Sequence, residues 1–527
     1  MDNSMYRQYP FTVYTYDSVD STNAIAKRAV SSMGSSLDMS VHVAGEQTDG
    51  KGRRNRHWLN TDEAVMMSIV QSTKLGANKI PILNLVAAAA VRNALLNLTG
   101  YGIDISIKWP NDIVTSERME KICGILSEVL TISNTKYAII GIGVNLNASE
   151  MPSDLLQPAT SVFRECGRHI PVLDAVNEIL NEYETQYDLM MSDTEAFLKR
   201  FSESCVSLGR HVSVINGDEK LYGIGESLAP NGQLVVKFED GRTDVVYAAD
   251  VSIRNQDVID DRLAKKLLPK RSSKANKGDC GRAAIIAGSD DMPGAALMCT
   301  KACIRSGAGL TRVLIPNTLV PSFGVIPEAM LVSDDAGADK LIDWADAILI
   351  GCGMGVGERT AKLLEKVLRS GKKCVIDADA INTLAAHREL MELLHDKAVI
   401  TPHPAEMARL CEMKTAEVLK RFTPSAMGFA EKYGCNVLLK SSSSVIAAAD
   451  GRLRYNESGN NGLAKGGSGD VLAGIVVSMA AQGADPFDAA AIGSYLLGVS
   501  SEKALGFLHN RFIEATDIVD IISAELF

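Results

Sequence analysis

From residue 282 to the C-terminus the chain repeats one pattern: a short apolar run, a glycine-rich turn and a segment of helix length. RAAIIAG, DAILIGCGMG, CVIDADAI, AVITPHP and NVLLK alternate with stretches such as GAALMCTKACIRSGA. Runs that are apolar throughout must be buried on both faces, and the intervening helices supply the cover. This half therefore reads as an α/β domain with a doubly wound, mostly parallel sheet. Turns beyond the carboxyl ends of such strands gather along one edge, where ligands bind. GSDDMPGAA (288–296), GCGMGVG (351–357), TPHPAE (401–406), KSSSS (440–444) and GNNGLAKGGSGDVLAGI (459–475) all fall there.

The last of these turns carries the most chemistry. Gly466, Gly467 and Gly469 stand immediately before an apolar helix, so free N–H groups and the positive end of the helix dipole converge on the loop. That is an anion hole, although no Walker-type GxxxxGK[ST] occurs. Asp470, in the first helical turn, is placed either to cap the helix or to act as a base on a hydroxyl facing a phosphate. Lys440 with Ser441, Ser442, Ser443 and Ser444 offers a cation and a run of donors. His403, fixed between two prolines, faces a ligand or serves the fold.

Residues 1–208 read as α+β, and from Gly209 the pattern shifts to short strands and turns, a small all-β unit. The Lys- and Ser-rich stretch 261–279 is the candidate connection. The expected boundaries are 1–208, 209–254, a linker over 255–274, and 275–527. In the first part, GEQTDGKGRRNRHW (45–58) packs Lys51, Arg53, Arg54 and Arg56 among Gly50 and Gly52. Glycines admit an anion close to the backbone and guanidinium forks neutralise it. KWPND at 108–112, KICGIL at 121–126 and GIGVNLN at 141–147 follow in order.

A length of 527 residues suggests three to four domains at roughly 150 each. The net charge of −10 argues against a surface built for nucleic acid, so small molecules and proteins are the expected partners. Ten cysteines with no CxxC pair, together with an N-terminus lacking a cationic and then apolar segment, point to the cytosol and to no structural metal. The apolar run at 471–481 is shorter than the ~20 residues needed to cross a bilayer, so no membrane span is expected.

The first 254 residues resemble the biotin–protein ligases. DSTN at 20–23, GKGRRNR at 50–56, KWPND, KICGIL and GIGVN match the family's signature segments in order. The resemblance implies a biotin-ligase-type catalytic domain followed by an SH3-like β-barrel. The implied reaction joins biotin and ATP as biotinyl-5′-AMP with Mg²⁺, then transfers biotin to a lysine of a biotin carboxyl carrier protein domain. By motif position Ser21, Thr22, Asn23 and Gln47 line the biotin pocket, and Gly50, Lys51, Gly52 and Arg53 close over the carboxylate and phosphate. Lys108, Asn111, Gly143 and Asn145 complete the biotinyl-AMP site, and Lys121 is the catalytic lysine. Lys51 stands for an arginine of the motif and Asn55 for a glycine. No room precedes Tyr14 for the DNA-binding domain of some members, so no DNA partner is expected. Lipoyl ligation is the related alternative.

Residues 275–527 resemble the ADP/ATP-dependent NAD(P)H-hydrate dehydratases, which have a ribokinase-like fold. The PGAA turn, GCGMG, VIDADAI, TPHPAE, the Lys-to-hydroxyl stretch and GGSGD occur in the family's order. The resemblance implies phosphorylation of the 6-hydroxyl of (6S)-NADHX or NADPHX by ADP or ATP, then loss of phosphate to restore NADH or NADPH. Asp470 would be the base, with Ala295, Gly355 and His403 on the hydrate. Lys440 to Ser444 with Gly466, Gly467 and Gly469 would hold the nucleotide. Ser441, Ser444, Asn461, Lys465 and Ala405 depart from the family's usual residues, and Lys465 places a further charge beside the phosphate loop. The alternatives are a small-molecule kinase of the same fold or an inactive regulatory module attached to the ligase. A homo-oligomer is compatible with either half.

Overall fold

The computed structural model describes residues 4–8, 10–33, 37–52, 58, 63–75, 80–116, 118–152, 158–216, 219–247, 252–255 and 257–522. It divides into two compact units, Met1–Phe238 with Arg242–Asn255 and Glu239–Gly241 with Gln256–Phe527.

The first unit is built on an eight-stranded sheet. Its spatial order is Ser4–Gln8, Phe11–Val19, Ser40–Gln47, Val65–Thr73, Thr135–Val144, Lys121–Ile132, Asp112–Thr115 and Ile105–Lys108. Phe11–Val19 and Ser40–Gln47 run parallel, and the other neighbours are antiparallel. Helices Ile82–Thr99 and Val172–Ser192 pack together and contribute to the main core. Ala26 and Val30 of helix Thr22–Met33 form a smaller cluster with Val70, Tyr137 and Ile139 of the sheet. Helix Ile82–Thr99 is a correction to the expectation about apolar runs. It is long and apolar enough to cross a membrane by length and composition, yet 72% of it is buried against its own unit, as for a core helix.

Strands Thr243–Val246, Leu234–Phe238, Glu219–Leu228, His211–Asn216 and Ser252–Asn255 form, in that order, a five-stranded antiparallel sheet. Among the described residues its two end strands are not paired with each other, so the sheet lacks, among those residues, the barrel closure that the resemblance implies. Trp109 of the KWPND turn donates its indole N–H to Gly232 O, in the turn between strands Glu219–Leu228 and Leu234–Phe238, at 3.0 Å.

The second unit is a ten-stranded sheet with the order Asp257–Val258, Leu453–Asn456, Ser444–Ala448, Asn436–Leu439, Ala398–Ile400, Lys373–Ile376, Ala347–Ile350, Arg282–Ile286, Leu310–Leu314 and Met330–Val332. It is parallel throughout except where Ser444–Ala448 meets its two neighbours. Every residue of Ala347–Ile350, Ala398–Ile400 and Asn436–Leu439 is buried, as the all-apolar runs require. The expected linker carries regular structure among the described residues. Asp257–Val258 adds a parallel strand to Leu453–Asn456, and Asp261–Leu267 is a helix capped by the Asp260 side chain. Tyr495 donates to Asp261 Oδ1 at 2.7 Å, tying that helix into the second unit.

Candidate active sites

In the first unit the DSTN segment opens helix Thr22–Met33 with all three of Ser21, Thr22 and Asn23 buried. The Thr22 backbone N–H and hydroxyl both donate to Gln47 Oε1, at 2.8 and 3.2 Å. Ser68 donates to Thr22 Oγ1 at 2.8 Å and to Asn23 Oδ1 at 2.6 Å, while Asn23 Nδ2 donates to Glu128 Oε2 at 2.8 Å and to Leu126 O at 3.3 Å. This is a prepacked polar floor whose side-chain directions are fixed before any ligand arrives.

Lys121 begins its strand and donates to Asp112 Oδ1 at 2.6 Å. Its ammonium also stands 5.8 Å from the centroid of the Trp58 ring. Gly124 and Gly143 are register partners on adjacent strands, and the Trp58 indole lies against both. A β-carbon at Gly143 would sit 2.6 Å from Trp58 Cε2, and one at Gly124 would sit 3.0 Å from Cζ3. Gly50 accepts the Trp58 N–H at 2.9 Å, so the basic loop returns to the sheet at this point. Lys51 pairs with Asp49 at 3.2 Å in solvent, and Gly52 follows it, whereas Arg53, with Arg54 and Arg56, lies outside the described residues.

Asn111 and Asn145 turn out to hold backbone. Asn111 Nδ2 donates to Ile125 O at 2.9 Å, and Asn145 Nδ2 donates to Thr160 O at 3.2 Å and Lys121 O at 3.4 Å. These bonds fix the strand that carries Lys121 and Gly124. Lys108 closes the strand before the proline turn, and its carbonyl accepts the Asn111 N–H at 3.3 Å. Sequence reasoning passed over Asp112, Trp58, Ser68 and Glu128 as site residues. Asp112 and Trp58 lie inside the very motifs that were singled out.

In the second unit the turns converge on Asp377, which follows strand Lys373–Ile376 and whose side chain is 2% exposed. Asp377 Oδ1 accepts from Lys440 Nζ at 2.8 Å and from Thr401 Oγ1 at 2.7 Å. Its Oδ2 faces the Cys352 thiol at 3.9 Å. Asp470 stands in the first turn of helix Ser468–Ala481, behind Gly467 at φ +94°, where a β-carbon would strike Met298 Sδ at 2.5 Å. The positive φ is what favours glycine there, since the methionine end can shift. A β-carbon on Gly469 would lie 3.6 Å from Lys440 Nζ and 3.8 Å from Asp377 Oδ2, so cation, carboxylate and helix N-terminus share one small space. Burial, reinforced by the charge of Asp377, pushes the Asp470 carboxyl up to about 6.

His403 caps helix Pro404–Cys411: its Nδ1 accepts the Ala405 and Glu406 N–H groups at 3.1 and 3.4 Å, and Glu406 Oε2 accepts the His403 N–H at 2.7 Å. Burial, then the nearby cations Lys440 and Arg409, lower its pKa. With Nδ1 used as an acceptor, the neutral ring carries its proton on Nε2 and offers a donor. Gly355, at φ +76°, donates its N–H to Asp379 Oδ2 at 2.9 Å. Ala295 packs under the same turn, 2.8 Å from where a β-carbon on Gly353 would stand.

The serine run forms a self-contained turn. Ser441 N donates to Ser444 Oγ at 3.3 Å, and Ser444 Oγ donates back to Ser441 O at 3.2 Å. Ser442 is exposed, and Ser443 Oγ is buried with no partner among the described residues. Beside Gly466, at the approach to helix Ser468–Ala481, nothing lies within 4 Å of where a β-carbon would stand, and a helix N-terminus there favours an anion. Lys465 differs from expectation, because its ammonium donates to Arg511 O at 2.8 Å and is committed there. A Mg²⁺ cage of protein ligands is not built here. Cys352, Asp377 and Asp470 present donor atoms within 4.8 Å of one another, but the thiol is a soft ligand held protonated and Asp377 already has Lys440.

The second unit thus sets a glycine loop, a lysine and two carboxylates at one edge of a mostly parallel sheet, and the first sets the Lys121–Asp112 pair on the sheet that also carries a buried polar cluster. Residues 283–524 match the family model for NAD(P)H-hydrate dehydratase, and residues 16–145 match that for the biotin/lipoate A/B protein ligase family. An ADP-dependent (S)-NAD(P)H-hydrate dehydratase of Neisseria meningitidis is 35% identical over 241 residues, covering 44% of this chain and 80% of the relative. Through its second half the chain belongs to the NAD(P)H-hydrate dehydratase family. A bifunctional NAD(P)H-hydrate repair enzyme of Moorella thermoacetica is 32% identical over 316 residues, covering 56% of this chain and 60% of that one. The chain spans about half the length of such bifunctional relatives. A solved biotin protein ligase from Aquifex aeolicus, in complex with biotin and ATP, is 24% identical with a TM-score of 0.40, over 46% of this chain and 99% of that one.

Proposed function

We propose that the chain is a bifunctional enzyme. Its second unit dehydrates (6S)-NADHX and (6S)-NADPHX at the expense of ADP or ATP, and its first unit biotinylates a lysine of a carrier domain through biotinyl-5′-AMP. The observation that carries the dehydratase reading is Asp470. A carboxyl raised to about 6 is a competent base near neutral pH, and it stands at the helix N-terminus where a phosphate would sit. In the proposed sequence Asp470 removes the proton of the 6-hydroxyl as its oxygen takes the terminal phosphoryl group, releasing AMP or ADP. The phosphate then leaves with the electron pair of the C–O bond, the neighbouring ring carbon loses a proton, and the reduced nicotinamide returns. The neutral His403 offers its Nε2–H to the substrate, and Lys440 with the glycine loop takes the developing phosphate charge.

For the ligase, attack of a carboxylate on the α-phosphate of ATP brings two anions together. Lys121, steadied by Asp112 and Trp58, supplies the compensating charge. The buried Thr22, Asn23 and Ser68, with the half-buried Gln47, present the fixed polar floor a ureido ring would need. The deciding experiment for the dehydratase combines the purified chain with (6S)-NADHX, Mg²⁺ and either nucleotide, and follows the absorbance of the reduced nicotinamide. A nucleotide-dependent rise that Asp470→Asn removes supports the reading and identifies the donor. No rise with either nucleotide overturns it in favour of a kinase of the same fold or a regulatory module.

A further inference from the structure

Asp377 is the most buried acid at this site, yet none of the functional motifs assigns it a role. It sits in the middle of the sheet, between strands Ala347–Ile350 and Ala398–Ile400. A buried ion pair adds little net stability over apolar packing, so its retention calls for another reason. Here the reason is geometric. Lys440 follows strand Asn436–Leu439 and reaches across to Asp377, which leaves its ammonium beside Gly469 and the start of helix Ser468–Ala481.

We infer that Asp377 is a positioning residue for the phosphoryl transfer: it holds the Lys440 ammonium between its own carboxylate and the incoming terminal phosphoryl group. The inference rests on the dehydratase reading. The charged and titratable groups coupled to Asp377 come from the elements around it: Cys352 from the glycine turn, His403 and Glu406 at the start of helix Pro404–Cys411, Lys440, and Asp470, on which Asp379 of helix Asp379–Ala386 also acts. Asp377 raises the Asp470 carboxyl, whereas Lys440 lowers it, so the two partners act on the base with opposite sign.

The test measures kcat/KM for (6S)-NADHX against pH in the full chain, for the parent, Asp377→Asn, Asp377→Glu and Lys440→Met. In Asp377→Asn the activity at pH 7.5 falls at least tenfold, and the acidic limb moves down by about one pH unit. In Lys440→Met the limb moves up, and Asp377→Glu restores part of the rate. A merely structural role would lower the melting temperature of each variant and leave the limb in place. If the parent turns over hydrate and neither limb moves, or both move the same way, the inference is overturned while the dehydratase reading stands. If the parent does not turn over hydrate with either nucleotide, both fall. Should Asp377→Asn fail to fold, the upward limb of Lys440→Met decides alone.

Discussion

Asp112 of the KWPND turn is the counter-ion of Lys121, with Oδ1 2.6 Å from Nζ, so two segments separated by a turn in the chain form one device in the fold. The pair is only partly buried, the side chains being 13% and 25% exposed, and the lysine stays accessible to a ligand. Asp112→Asn should keep the packing and lose the charge that aims Lys121. A hydrogen bond to a charged group contributes about 1.5–3 kcal/mol, so adenylation should slow by roughly ten- to a hundredfold. Lys121→Ala should cost more, on the order of 10²–10³-fold. Pyrophosphate release with biotin and ATP checks both. Equal rates for parent and Asp112→Asn would show that the carboxylate does not aim the lysine.

The glycine pair under Trp58 gives a second prediction. In Gly143→Ala the new methyl would meet the indole at 2.6 Å, and Trp58 must leave the sheet. No unusual backbone conformation is involved, so the effect is local overpacking of about 1–3 kcal/mol. Trp58 emission should shift to the red and adenylation should fall. In contrast Gly167→Ala meets nothing within 4 Å and strains only its own backbone at φ +69°. An unchanged emission spectrum in Gly143→Ala would mean that the indole does not cover Gly143 in solution.

Much of this was legible because glycine turns and all-apolar strands are local signals. The GGSGD loop, the serine turn and the doubly wound sheet follow from residues close together in the chain. Asp377 was not legible as a hub, because its partners Thr401, Lys440 and Asp470 reach it only through the register of parallel strands. His403 carried a local clue that went unused: a residue before proline with glutamate three places on is a capping-box pattern. The same holds for Asp260, whose cap starts a helix inside the expected linker. Asn111 and Asn145 brace backbone through their amide groups, a role that motif position alone does not reveal.

The two sites lie in separate compact units and their proposed chemistries share no intermediate. Lys121→Ala should therefore slow biotin transfer on the order of 10²–10³-fold and leave hydrate repair unchanged, whereas Asp470→Asn removes hydrate repair and leaves biotin transfer. Both activities are measured on each variant, alongside a melting curve. Loss of both activities from one substitution in a folded protein would contradict independent sites.

Acid stability of the first unit should turn on His42. The ring is 2% exposed, stacked on Tyr14 at 5.3 Å and Tyr16 at 5.9 Å between centroids, and takes part in a 3.0 Å hydrogen bond with the Tyr16 hydroxyl. Burial pushes its pKa down from 6.5 to about 4. Between those values the unfolded chain binds a proton that the fold refuses. The stabilisation is therefore complete above pH 6.5 and is lost progressively down to about pH 4, reaching about 3 kcal/mol. In a Trp344→Phe background, where the remaining tryptophans report on the first unit, the denaturant midpoint should fall steeply between pH 6.5 and 4. His42→Gln should flatten that slope while lowering the midpoint at pH 7.5 through lost stacking. A slope that persists unchanged in His42→Gln would assign the acid sensitivity to another group.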